Sequence, residues 1–262
     1  MWQKVFRITF LVLTLTVPCT AAHAITYNLG ADWSDTNNPN GVWSYNDGGG
    51  AITNHLADWT GSPDFFVNAQ PAWADAPSGP GHVVSWFKST NNVFDWLVGD
   101  VITHSWDAFS GPPTSTPNSN VTWTSPGAGT IDITGAVWLA RNIGRSVNWS
   151  LAINGGAVTG GSLFDGDAFN RSNPFNLAAG SGGAGVLSDV SVGAGDLIRL
   201  SFLTTSTFGE FTGINLNVDF TPSTTPVPEP STLLLLGSGL IGLLTRWRFR
   251  QKIEGEKPGR KL

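Results

Sequence analysis

Fifteen aspartates, one glutamate at position 210, three scattered histidines and ten tryptophans are the side chains of residues 25–225 best suited to chemistry. Asp165-Gly166-Asp167 with Asn170 places oxygen ligands at alternate positions around a glycine bend, as a calcium loop does. The run lacks the later bidentate glutamate of a helix-flanked calcium loop, and a solvated turn accounts for the same residues. Asp32 and Asp35, near Asn37 and Asn38, are a weaker version of the same pattern. A structural calcium at Asp165, Asp167 and Asn170 is therefore the leading metal expectation, and no other cofactor is implied.

Catalysis is poorly supplied. Glycoside hydrolysis needs two carboxylates, one of them held protonated. Glu210 is the only glutamate in this stretch, and an aspartate pair has no motif to support it. His55, His82 and His104 stand alone, with no H-E-x-x-H among them. The sequence has no G-x-S-x-G elbow, no Walker A loop and no G-x-G-x-x-G at a strand-to-helix junction. The expectation is a protein that is not an enzyme, with an Asp-dependent hydrolase as the remote alternative.

The tryptophans allow two roles. An exposed indole face stacks on the C–H groups of a sugar, whereas a buried one fills a core and finds a partner for its N–H. Trp123, Trp138 and Trp149 sit in alternating apolar runs and are expected in the core. Trp33, Trp43, Trp59 and Trp73 lie in stretches rich in glycine, aspartate and asparagine, read as loops. An apolar ring on a loop must pack or bind, so these four are the candidate glycan-binding residues.

The elements that must position these side chains read as strands. Turn residues recur about every ten positions, the spacing of short strands in an all-β fold. The run from Val147 to Ile153 alternates, and Asn154-Gly155 follows it as a two-residue hairpin turn, with residues 157–164 returning. Ile214, Leu216, Val218 and Phe220 alternate with Asn215, Asn217 and Asp219, the pattern of a half-buried antiparallel strand. Residues 30–50 and 107–121 are expected to be long loops. The fold expected for residues 25–220 is all-β: one antiparallel β-sandwich, jelly-roll-like. Val192 to Leu200 and Asn148 to Gly155 resemble turn-and-strand segments of jelly-roll carbohydrate-binding sandwiches.

Charge and hydropathy set the two ends apart. Residues 25–225 hold sixteen acidic and five basic residues, a net charge of −11 that repels nucleic acid and anionic headgroups. Lys4 and Arg7, the apolar run Ile8 to Val17 and Ala22-His23-Ala24 read as a signal peptide over residues 1–24. Cys19 is the only cysteine, so cleavage after Ala24 leaves a chain without thiol or disulfide. A Pro/Thr linker over 221–230 leads to an apolar stretch over 231–247, short for a single transmembrane helix, and basic residues that stay on the cytoplasmic side. A polar tail occupies 253–262.

Val227-Pro228-Glu229-Pro230, the apolar stretch and Arg246, Arg248 and Arg250 together resemble the PEP-CTERM sorting signal over residues 227–252. The resemblance implies a Gram-negative bacterium with an exopolysaccharide-rich surface and a partner enzyme in the membrane, an exosortase. It implies export through the inner membrane, anchoring there, and delivery to the cell surface or matrix. It implies no common activity. The expected function is a non-catalytic surface or matrix protein, linked to exopolysaccharide or biofilm and without nucleic-acid partners. The alternative is a carbohydrate-binding module using the loop tryptophans.

Overall fold

The computed structural model describes residues 23–48, 50–60, 69–74, 83–106, 118–223, 237, 239 and 240. The expected signal peptide, apart from His23 and Ala24, lies outside them. So do Val227, Pro228, Glu229, Pro230, Arg246, Arg248, Arg250 and the polar tail. Of the apolar stretch 231–247, only Gly237, Gly239 and Leu240 are described, and they are helical. Among the described residues no helix is long and apolar enough to cross a membrane, a statement about helices alone. Residues 1–223 and 224–262 form separate units.

The first unit is all-β and antiparallel. Its strands are β1 (Ile25–Asn28), β2 (Trp43–Asp47), β3 (Gly50–Ala51), β4 (His55–Trp59), β5 (Gln70–Ala74), β6 (Ser85–Lys88), β7 (Val101–His104) and β8 (Asn118–Thr124). They continue with β9 (Gly129–Leu139), β10 (Ser146–Ile153), β11 (Gly156–Phe164), β12 (Phe175–Asn176), β13 (Val190–Val192), β14 (Leu197–Thr204) and β15 (Phe211–Pro222). The first sheet runs β12-β9-β15-β7-β6-β5-β4, with β1 also on β15 and β13 also on β9. The second runs β11-β10-β14-β8-β2-β3. First and last strands are partners, Ile25 facing Phe220.

Alternation decides which sheet face is buried. On β15, Ile214, Leu216, Val218 and Phe220 point into the main core, where Trp43, Tyr45, Trp123, Trp149 and Phe202 of the second sheet meet them. Aromatic pairs cross between the layers: Trp86 with Phe202 at 6.3 Å, Trp123 with Phe220 at 6.2 Å, and Trp149 edge-on to Phe175 at 5.3 Å. The two sheets therefore pack face to face as a sandwich.

The first sheet is also covered on its other face. Trp59, Phe87, Trp96, Ile102, Trp138 and Phe211 form a second, smaller core there. The segment between β6 and β7 closes it, held by Asp95 N–H to the Ala140 carbonyl at 3.0 Å and Trp138 Nε1–H to the Asp95 carbonyl at 3.0 Å.

The structure corrects two expectations about loops. Residues 30–50 are not one long loop, because β2 forms inside them with Trp43 and Tyr45 inward and Ser44 outward. Residues 118–121 belong to β8, while 107–117 lie outside the described residues.

Candidate functional site

Alternation on the second sheet sends indoles and aliphatic side chains inward and small polar groups outward. The registers set Ser44 beside Thr122 and Asn46 beside Asn120 on β2 and β8, and Arg199 beside Thr122 on β14. Pro39, Gly41 and Val42, together with Asp47, Gly48 and Gly50, border this outer face. They enclose a groove of about 270 Å³ whose floor includes Asn46, Asn120, Thr122 and Arg199.

The groove floor is a fixed hydrogen-bond network. Asn46 Nδ2 donates to Asn120 Oδ1 at 3.1 Å and to Thr122 Oγ1 at 3.2 Å. Asn120 Nδ2 donates to the Asp47 carbonyl at 2.8 Å, and Ser44 Oγ to Asn46 Oδ1 at 2.5 Å. The network uses the Nδ2 donors of both buried amides internally, and it fixes the shape of the groove floor.

A second hollow, of about 470 Å³, opens on the first sheet. Its charged groups are already paired. Arg171 grips Asp100 with Nε at 2.6 Å and Nη2 at 3.1 Å, and Lys88 Nζ donates to the Gly30 carbonyl at 2.8 Å. The carboxylate of Asp100 raises the Arg171 guanidinium further above its usual range.

Glu210 is fully buried at the start of β15. Its Oε1 accepts from Phe211 N–H at 2.8 Å, and its Oε2 has no hydrogen-bond partner among the described residues. Burial pushes the carboxyl up to about 8, against the lowering pull of that amide bond and of Arg145 and Arg141. A carboxyl with no solvent access cannot protonate an external ligand.

Three of the four tryptophans expected on loops lie in strands. Trp43 opens β2, Trp59 ends β4 and Trp73 lies in β5, and all three are buried. Trp43 Nε1 donates to Asp32 Oδ2 at 3.0 Å, and Trp73 Nε1 to the Ser34 carbonyl at 2.9 Å. Trp33 alone is on a loop and partly exposed, stacked on Tyr45 with centroids 4.2 Å apart. The stacking role therefore lacks a free face at Trp43, Trp59 and Trp73.

At the expected calcium loop, Asp167 accepts Phe164 N–H at 2.8 Å with Oδ2 and Phe169 N–H at 2.7 Å with Oδ1. Asn170 Oδ1 accepts from Ser172 N–H, Ser172 Oγ and Asn173 N–H. These are side chains capping their own turns. Among the described residues no group of three or more histidine, cysteine, aspartate or glutamate side chains is arranged to hold a metal ion. His104 is buried, its Nδ1 3.1 Å from the Val83 carbonyl, and His55 lies edge-on to Trp73.

The outer face of the second sheet was missed because its residues, serine, threonine and asparagine, read as turn formers. The period-two alternation W-S-Y-N over 43–46 was the available signal.

Residues 226–251 match the family model of the PEP-CTERM protein-sorting motif. No curated protein matches the chain. Among solved structures, the chain is similar to the carbohydrate-binding module CBM36 in complex with calcium and xylotriose, at 17% identity and a TM-score of 0.23 over 39% of this chain and 73% of that one. A likeness of that degree is weak and carries no conclusion about ligands.

Proposed function

We propose that the protein is exported, held at the inner membrane by its C-terminal segment, and passed by an exosortase-type membrane enzyme to the cell surface or matrix. The observation that carries this reading is the sorting motif at residues 226–251. The charge distribution supports it. A body of net charge −11 is suited to solution outside the cell, and the tail from residue 226 is net basic, as a cytoplasmic anchor flank is. The body acts by binding rather than by catalysis. What supports this is the burial of Glu210 away from solvent and the capping roles of Asp167 and Asn170. Association with exopolysaccharide fits such a destination.

Cell fractionation of the source bacterium tests the proposal. The parent chain is expected outside the inner membrane, and a chain with Pro228→Ala, Glu229→Ala and Pro230→Ala is expected to remain in the membrane fraction. Parent and variant found together in the cytoplasm would overturn it.

A further inference from the structure

We propose that the outer face of the second sheet binds a neutral polysaccharide, one chain of which lies across the strands. The inference extends the reading of the body as a binding module and is independent of the export route.

The first observation is the shape of the face. The registers place Asn46, Asn120, Ser201, Ser150 and Gly160 side by side across five strands. No residue in that row is larger than asparagine, and Ser201, Ser150 and Gly160 are half-exposed. Asn46 and Asn120 are buried and bonded within the protein, so the accessible groups of the row are the half-exposed hydroxyls of Ser201 and Ser150 on neighbouring strands about 4.8 Å apart. At the β2 end the row enters the walled groove described above.

The second observation is Arg199, which lines that groove and is exposed. The other four cations of the body are engaged. Lys88 donates to Gly30, Arg145 to Gly209 and Arg171 to Asp100, and Arg141 stands 4.5 Å from the Phe94 ring centroid. Arg199 has no hydrogen bond or ion pair among the described residues. A guanidinium left unpaired beside fixed amides is a set of oriented donors for hydroxyl and ring oxygens.

The third observation is Phe164 at the outer edge, on β11. The residue is 54% exposed, and it lies two positions after Ser162, which donates to Asn148 on the same face. Phe164 lies four residues along β11 from Gly160, on the side of the row opposite Arg199, so a chain running diagonally from the groove reaches this exposed ring.

Charge selects the ligand class. A single arginine on a body of net charge −11 does not hold a polyanion, whereas groups that both donate and accept match uncharged sugar hydroxyls.

Affinity electrophoresis of the full chain in non-ionic detergent, through gels containing xylan, mixed-linkage β-glucan or galactomannan, tests the proposal beside gels with alginate. At least one neutral polymer is expected to retard the protein, and alginate is not. Arg199→Ala and Phe164→Ala are each expected to weaken retardation about tenfold, the scale of one charge-assisted or stacking contact. Ser201→Trp is expected to abolish it. All three positions are at the surface, and unchanged melting curves will verify folding. Retardation by no neutral polymer, by alginate alone, or equally in parent and variants would overturn the proposal, as would a dimer in sedimentation that Ser201→Trp dissociates. Failure here with the protein still exported would leave the sorting account standing.

Discussion

Trp138 on β9 and Gly213 on β15 face each other across the strand pair, and the indole covers the glycine so closely that a Cβ at position 213 would stand 2.1 Å from its Cε2. The ring sits over bare backbone and reaches Asp95, anchoring the segment that closes the second core. Gly213→Ala is expected to displace the indole and lower stability by about 1–3 kcal/mol, the usual effect of overpacking. Urea melts of parent and variant check this, and equal midpoints would contradict the packing described.

Trp43 and Trp33 differ in what they support. Trp43 is fully buried in the main core and bonded to Asp32, so Trp43→Ala is expected to cost about 3–5 kcal/mol. Trp33→Ala, at a partly exposed ring, is expected to cost clearly less. Thermal melts of the two variants decide whether these residues are core or surface, and the reverse order would return Trp43 to the candidate ligand contacts.

Much of the fold was legible where alternation and turn chemistry agree. Asn154 and Gly155 adopt φ of 49° and 83° and join β10 to β11, as the dipeptide predicts. Ile214, Leu216, Val218 and Phe220 are all buried on β15. The turn before β14 is fixed by Asp196 Oδ2 accepting Gly193 N–H at 2.7 Å, with Gly195 at φ 83°. What failed has a physical cause. β2 escaped because its outward residues are turn formers and Gly48-Gly49-Gly50 follows it directly. Trp59 reads as a loop residue because a second core on the far side of a sheet leaves no period-two pattern, and it requires a covering segment distant in sequence. Arg199 could be found in the sequence, but its lack of a partner could not.

Glu210 gives the stability a direction with pH. Its folded value of about 8 lies above the ordinary 4.5, so the folded state holds the proton more tightly than the unfolded chain. The contribution is complete below pH 4.5 and disappears as pH rises through 8, a loss on the order of a few kcal/mol. Arg141 and Arg145 moderate it and Asp165 adds to it. Urea midpoints are expected to fall between pH 5 and pH 8.5 in the parent, and less steeply in Glu210→Gln, which keeps an oxygen for Phe211 N–H. Identical pH profiles for the two would refute this role.

Asp167 is expected to act as a cap. Removing both of its backbone bonds in Asp167→Ala is expected to lower stability by about 1–2 kcal/mol, equally with calcium and with chelator. A calcium-dependent melting temperature in the parent that Asp167→Ala abolishes would instead make the turn a metal site.

Sorting is the claim on which the assignment of place rests, and the intact mass of the protein recovered from its native host addresses it most directly. The expected result is a chain from the extracellular or surface fraction that begins near Ile25 and has been cut or modified within residues 226–251. An unprocessed chain of all 262 residues, free in the cytosol, would contradict it.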